Sequence, residues 1–203
     1  MSRHQEQTGS RAPSGGATRD EDLTGHLPVL ASIWAQDQRG VLGTGTGMLW
    51  NVPADFAHFR RETRGCPVIM GRASWEALGG ALPERTNIVI TTRHDYVAEG
   101  AHVVTSLEES VDLGMRVAEE TGAPTVWITG GARVYSDAMD LVQELVVTYL
   151  DLDAVAARGR SGRVVHAPQI DPLVWRPDPE LTDADWRPVS GDARWRVTTW
   201  IRR

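Results

Sequence analysis

Six short apolar runs, most of them separated by a helix-like segment, constrain this chain more than any other feature. They are PVLASIW (28–34), PVIMG (67–71), NIVIT (87–91), HVVT (102–105), TVWIT (125–129) and ELVVTYL (144–150). Runs this short and this continuously apolar fit strands covered on both faces. Helices are predicted between them. The first opens at Asn51-Val52-Pro53, with proline tolerated in the first turn, and runs to about Arg64. Others cover 72–78, 107–121 (where Ser106 and Glu109 form a capping box) and 132–139. Strands alternating with helices give right-handed crossovers and a mainly parallel sheet, hence an α/β fold with helices on both faces. Residues 186–190 and 195–201 flank Gly191-Asp192 and predict a C-terminal antiparallel hairpin on the sheet edge.

The 203 residues predict a single domain. Within residues 1–26 only Met1, Ala12, Ala17 and Leu23 are apolar, so this stretch is read as a disordered tail and 27–203 as the folded domain. The tail lacks the apolar stretch of a secretory signal, which fits a cytoplasmic protein. Residues 153–180, rich in Ala, Arg, Gly and Pro, are expected to form a long surface connection, and 43–47 a glycine-rich loop.

Composition narrows the chemistry. The net charge of −6 argues against a nucleic-acid binder, and no apolar run is long enough for a membrane span. The single cysteine, Cys66, rules out an internal disulfide and a cysteine-based zinc site. All 21 basic residues are arginine, which removes Schiff-base chemistry, a lysine base and the lysine-containing phosphate loop. The six histidines show no metal-ligand spacing; His58, His94, His102 and His166 read as mostly solvated or supporting residues, and no metal is expected.

On the helix at 52–64, at about 100° per residue with Asp55 at zero, Phe59 falls at about 40°, Val52 at about 60°, Thr63 at about 80° and Phe56 at about 100°. Asp55 therefore shares an apolar stripe with both phenylalanines of the chain, and no arginine lies on that arc. It is either an aspartate favoured by the helix dipole or an acid facing a ligand, with its pKa raised by burial and able to hydrogen-bond an amidine-like heterocycle. Gly43-Thr44-Gly45-Thr46-Gly47-Met48 is not a dinucleotide fingerprint. Two strand-to-helix turns, Gly130-Gly131-Ala132-Arg133 and Gly71-Arg72-Ala73-Ser74, each offer an arginine and helix N–H groups at the strand ends. They read either as ordinary turns or as the two ends of one dinucleotide site.

Several segments together resemble the dihydrofolate reductases. They are Ile33-Trp34-Ala35-Gln36, Gly40-Val41-Leu42-Gly43, Trp50-Asn51-Val52-Pro53-Ala54-Asp55-Phe56, Val68-Ile69-Met70-Gly71-Arg72, Ser74-Trp75-Glu76, Leu82-Pro83-Glu84-Arg85-Thr86-Asn87 and Gly130-Gly131-Ala132-Arg133-Val134-Tyr135. They occur in the family's order over about 28–151. The resemblance implies an eight-stranded sheet and NADPH-dependent reduction of dihydrofolate by a monomer. It implies catalytic roles for Asp55, Trp50, Thr148 and Tyr135. Substrate would meet Ile33, Ala35, Asp55, Phe56, Phe59, Leu78, Leu82, Arg85, Thr129 and Thr148, with Arg85 pairing a glutamate carboxylate. The cofactor would meet Ala35, Leu42, Gly47, Met48, Gly71, Arg72, Ala73, Ser74, Thr91, Thr92, Arg93, Gly130, Gly131, Ala132, Arg133, Val134 and Tyr135, with Arg72 and Arg93 favouring NADPH over NADH. A cis Gly130–Gly131 peptide is implied too. Departures are Leu49 for proline, Thr129 for a branched aliphatic residue, Ala132 for a third glycine, Ala73 for a larger residue, and a longer 153–180 segment. The competing readings are a pyrimidine reductase of riboflavin synthesis and a non-catalytic nucleotide- or folate-binding module.

Overall fold

A computed structural model describes residues 27–44, 47–158 and 163–203. The tail reading for 1–26 lies outside the described residues, apart from the start of the domain at Leu27. Six parallel strands follow the six apolar runs closely: β1 (Val29–Gln36), β3 (Pro67–Gly71), β4 (Thr86–Ile90), β5 (Ala101–Val104), β6 (Thr125–Ile128) and β7 (Glu144–Leu150). Between them lie α1 (Pro53–Thr63), α2 (Arg72–Leu78), α3 (Leu107–Thr121) and α4 (Ala132–Ala138). The hairpin is β10 (Arg187–Ser190) and β11 (Ala193–Arg202).

The main sheet has the order β10-β11-β7-β1-β6-β3-β4-β5. Its β7-to-β5 part is parallel throughout, and β11 joins β7 antiparallel from Trp195 opposite Leu150 to Ile201 opposite Glu144. The core lies on the parallel strands: Val68, Ile69, Met70, Ile88, Val126, Ile128, Leu145 and Val147 are all sealed from solvent. That two-faced burial explains why these runs lack polar alternation. Ser106 accepts the Glu109 backbone N–H at 3.1 Å, and the Glu109 carboxylate returns to Thr105 N at 2.8 Å, so α3 starts where the capping pair predicted.

Two readings need correction. Residues 153–180 are not a plain surface connection: they contain α5 (Ala154–Arg158), β8 (Val164–His166) and β9 (Trp175–Pro177). Strand β9 adds to β11, while β8 pairs antiparallel with β2 (Val41–Thr44), so Gly43 and Thr44 belong to a strand and not to a loop. Short strands whose partners lie far along the chain carry no local periodicity, so composition alone points to loop.

The C-terminal hairpin also fixes α1. No side chain caps that helix at Val52. Instead Ser190 Oγ accepts the Ala54 N–H at 3.0 Å, Asp192 Oδ2 accepts the Asn51 N–H at 2.8 Å, and Asp192 N donates to Asn51 O at 3.0 Å. The Ala54 N–H of the first turn, and the segment that leads into it at Asn51, are thus held by residues about 140 positions away in the chain. The turn between β10 and β11 thereby sets the start of the helix that carries Asp55.

Candidate functional site

The C-terminal ends of β1, β6 and β7 open into a cleft of about 750 Å³. Its walls come from β1 (Ile33, Ala35), β2 (Leu42, Gly43), α1 (Asp55, Phe56, Phe59), α2 (Ala73, Ser74, Leu78), the β6–α4 turn (Thr129 to Ala132), Tyr135 and Thr148. Gly47 and Met48 border one side, and Leu82 and Arg85 the far end. Asp55 is the one carboxylate among these wall residues.

Asp55 is 6% exposed, yet it belongs to a cleft wall. Burial pushes its carboxyl up from the usual 3.8 to about 6, and a hydrogen bond donated by the Thr148 hydroxyl opposes that rise only in part. Register explains the pair: Thr148 lies opposite Ala35 on β1 and opposite Val197 on β11, deep in the sheet. The apolar stripe drawn from periodicity holds at Val52, Asp55 and Thr63, which are buried, and departs at Phe56, while His58, outside the stripe, is buried as well. Asp55, His58 and Thr63 are its buried residues, whereas Phe56 is 44% exposed at the cleft lip and Phe59 half-buried. An open cleft explains the exposure of Phe56, because a side chain turned to a cavity keeps solvent-accessible area.

His58 also departs from expectation. It is buried, not solvated: Arg61 Nη2 donates to its Nδ1 at 2.8 Å, Glu62 lies 3.4 Å away, and its ring centroid is 6.1 Å from that of Trp195. Burial holds its pKa below the usual histidine value, with the nearby Glu62 opposing.

The glycine end is built for close backbone approach. The Gly130–Gly131 peptide is cis. A Cβ on Gly130 would lie 3.3 Å from both Ser74 Oγ and Tyr135 Oη, and one on Gly131 would lie 3.1 Å from Ser74 Oγ. Gly71 N donates to Gly130 O at 2.7 Å, which joins the ends of β3 and β6, and a Cβ at Gly71 would sit 3.2 Å from Val134 Cγ2. Thr129, the residue expected to need a partner for its hydroxyl, donates to Ile69 O at 3.1 Å. Tyr135 is buried, and its hydroxyl donates to Ile33 O at 2.7 Å. Burial, with the nearby Asp55 carboxylate, keeps that phenol far above its ordinary value.

At the opposite end Arg85 is held by three acceptors: Thr63 Oγ1 at 2.8 Å, Pro83 O at 2.6 Å and Arg60 O at 2.9 Å. Arg60 borders the cleft there as well.

Not every expected residue reaches the walls. Trp50 is buried behind the cleft, and its indole N–H has no partner among the described residues. Gly71, Thr91, Thr92, Arg93, Arg133 and Val134 do not line the cleft. Arg72 is drawn aside by Glu76, to which Nη1 donates at 2.7 and 2.8 Å, and stacks 6.0 Å from the Tyr96 ring. Sequence reasoning missed Trp34, Gly43, Thr44, His58, Arg60, Ala77, Pro83 and Val165. Arg60 was within reach, since it lies one residue past Phe59 on the same helix; Val165 was not, because its place depends on the unforeseen β2–β8 pairing.

Comparison with known proteins adds an independent finding. The dihydrofolate reductase family model matches residues 29–180. The chain is 32% identical to a dihydrofolate reductase of Mycobacterium tuberculosis over 87% of its length and 99% of the relative. It is 41% identical to one of Neisseria gonorrhoeae over 66% of its length and 76% of the relative. Among solved structures, a dihydrofolate reductase from Enterococcus faecalis complexed with NADP(H) and RAB-propyl superposes with a TM-score of 0.73 at 29% identity, covering 86% of this chain and 96% of that one.

Proposed function

The chain belongs to the dihydrofolate reductase family, and from that premise we propose which of its residues carry the family's reaction. The reaction is the NADPH-dependent reduction of 7,8-dihydrofolate to 5,6,7,8-tetrahydrofolate. One observation carries the assignment: a lone carboxylate, buried to 6% exposure yet bordering a cavity, with its pKa raised to about 6. NADPH, when bound, supplies the hydride.

The protein's own work is binding, orientation and proton supply. Asp55 hydrogen-bonds the pyrimidine edge of the pterin, and Thr148 fixes the carboxylate's orientation. With a pKa near 6, Asp55 exchanges its proton readily in the neutral range, and so serves the ring nitrogen that must be protonated. Phe56, Phe59 and Leu78 wall the aromatic body of the substrate and exclude water. Arg85 takes a carboxylate of the glutamate tail, a charge-assisted pairing. At the other end Gly130, Gly131 and Ser74, which line the cleft, would hold the cofactor, and Arg72, once released from Glu76, would reach its ribose phosphate together with Arg93. Tyr135 and Ala35 stand between the two ends. The reading is completed by a monomer in a cytoplasmic location.

Loss of NADPH absorbance, followed with and without dihydrofolate, tests the assignment. Oxidation that requires dihydrofolate and that falls on the order of 10²-fold in Asp55→Asn agrees with it. Unchanged turnover of that variant at neutral pH overturns the role of Asp55.

A further inference from the structure

A second cavity, of about 570 Å³, lies behind the cleft, and the reaction as described makes no use of it. Three pairs of neighbouring residues mark the division. Ala35, Thr148 and Val165 border the cleft, while the next residues along β1, β7 and β8, namely Gln36, Tyr149 and His166, line the second cavity. Successive side chains of a strand point to opposite faces, so the strands themselves separate the two spaces. Arg39 from the β1–β2 turn, Ile170 from the chain beyond β8, and Trp200 of β11 complete the wall. The rim is fastened where Ala167 N donates to Gly40 O at 2.8 Å. The geometry points to a second binding site here, one that takes a planar aromatic carboxylate.

The lining decides the chemistry. No aspartate or glutamate is among the described residues that line the cavity, and each of its polar side chains can donate a hydrogen bond. Gln36 Oε1 already accepts the Trp34 indole N–H at 2.8 Å, so the amide nitrogen is the end left for a ligand. Burial pushes the Tyr149 phenol above its ordinary pKa, so it stays protonated and able to donate. Arg39 Nη2 binds Asp153 Oδ2 at 2.6 Å, which occupies one of the five guanidinium N–H groups. A further cation stands against Tyr149. Arg196, its partner in the ladder, lies 5.6 Å from that ring and 4.9 Å from the Trp186 ring, and its buried Nε has no partner among the described residues. Donors and positive charge select an anion, and a planar guanidinium suits the two oxygens of a carboxylate. Tyr149, Trp200 and Ile170 supply the flat and apolar surface that an aromatic body needs.

The probe is 2-naphthoate, with the uncharged 2-naphthamide as its counterpart, titrated into the full chain and followed by amide and indole N–H resonances. Naphthoate should saturate at one ligand per chain, with the largest shifts at the Gly40 and Ala167 amides and the Trp200 indole. Naphthamide should bind more weakly on the order of tenfold. Arg39→Gln should weaken naphthoate by a similar factor and leave naphthamide within about twofold. Largest shifts at the Thr129 and Gly131 amides would place the ligand in the cleft and overturn the proposal. Failure of naphthoate to saturate below about 1 mM overturns it too, as do equal affinities for acid and amide or an unchanged naphthoate affinity in Arg39→Gln. Should that variant fail to fold, the comparison of acid with amide on the wild-type protein decides. The titration requires no turnover, so its outcome is separate from that of the activity assay.

Discussion

Replacing Asp55 by asparagine should make the protein more stable and nearly inactive, and the stabilisation should depend on pH. In the fold the carboxyl titrates at about 6 against an ordinary 3.8. At about 1.4 kcal/mol for each tenfold, the ionised side chain therefore costs the folded state about 3 kcal/mol. The folded state holds the proton more tightly than the unfolded chain. The penalty is accordingly absent below 3.8, grows as pH rises through the interval, and is complete above about 6. Asparagine has nearly the same shape, stays neutral, and its Oδ1 still accepts the Thr148 hydroxyl. Urea unfolding should thus find Asp55→Asn more stable than wild type by about 3 kcal/mol near about pH 8, falling to about 1 kcal/mol near about pH 4.5. In thermal melts at the higher pH the gain corresponds to roughly 6–12 °C for a chain of this size. Turnover should drop on the order of 10²-fold in the same variant. A difference in stability that is equal at both pH values, or is absent at the higher one, refutes the reasoning, because only a desolvated carboxylate produces that slope.

Other outcomes follow from the same geometry. In wild type, kcat/KM for dihydrofolate should fall as pH rises through about 6, as the proton-bearing form of Asp55 is depleted; a pH–rate profile checks this, and the inflection should vanish in Asp55→Asn. Arg85→Gln should raise KM for dihydrofolate by roughly 10–100-fold while leaving the Kd for NADPH within about twofold, measured by fluorescence titration. Gly191→Ala should destabilise the fold by about 2 kcal/mol and lower kcat too, since its φ is +63° and an added Cβ would collide with Asn51 O at the start of α1; denaturant melts and steady-state kinetics read both effects. Gly114→Ala, by contrast, should lower stability by about 1 kcal/mol with unaltered kinetics: its Cβ would meet Val126 Cγ1 at 2.7 Å, which outweighs the better helix propensity of alanine.

The parts of the molecule that were legible in its sequence are those whose cause is local. The apolar run at 125–129 needs only its own composition to become β6, and α3 needs only Ser106 and Glu109 to know where to start. Asp55 was found on the right face of α1 for a reason that proved half correct. The wheel grouped it with Phe56, Phe59 and Thr63 as a buried stripe, whereas the structure turns the phenylalanines to a cleft and buries His58 beside Asp55 and Thr63. Periodicity reports which side chains share a face, but it cannot tell a packed core from an apolar cavity, because both select the same residues. The stretch 153–180 was illegible for a different reason. Val165 reaches the cleft only because β8 pairs with β2, more than 100 residues earlier, and three-residue strands leave no pattern to read.

This division bears on how the site is held. The chemistry-bearing ends of β1, β6 and β7 come from locally determined elements, and a sheet buried on both faces gives them little freedom. The start of α1, in contrast, is held by the last hairpin, through Ser190 on the Ala54 N–H and Asp192 on Asn51 just before the helix. Asp55 is therefore fixed from two directions, by Thr148 beneath it in the sheet and by a turn that joins the fold only when the final strand has paired with β7. A chain truncated before β10 would keep the residues of the glycine end, which are proposed to hold the cofactor, yet it would lose the anchor of the helix that carries Asp55, the one carboxylate among the cleft's lining residues. Cofactor binding and turnover should therefore separate in such a truncation, with turnover the more sensitive of the two.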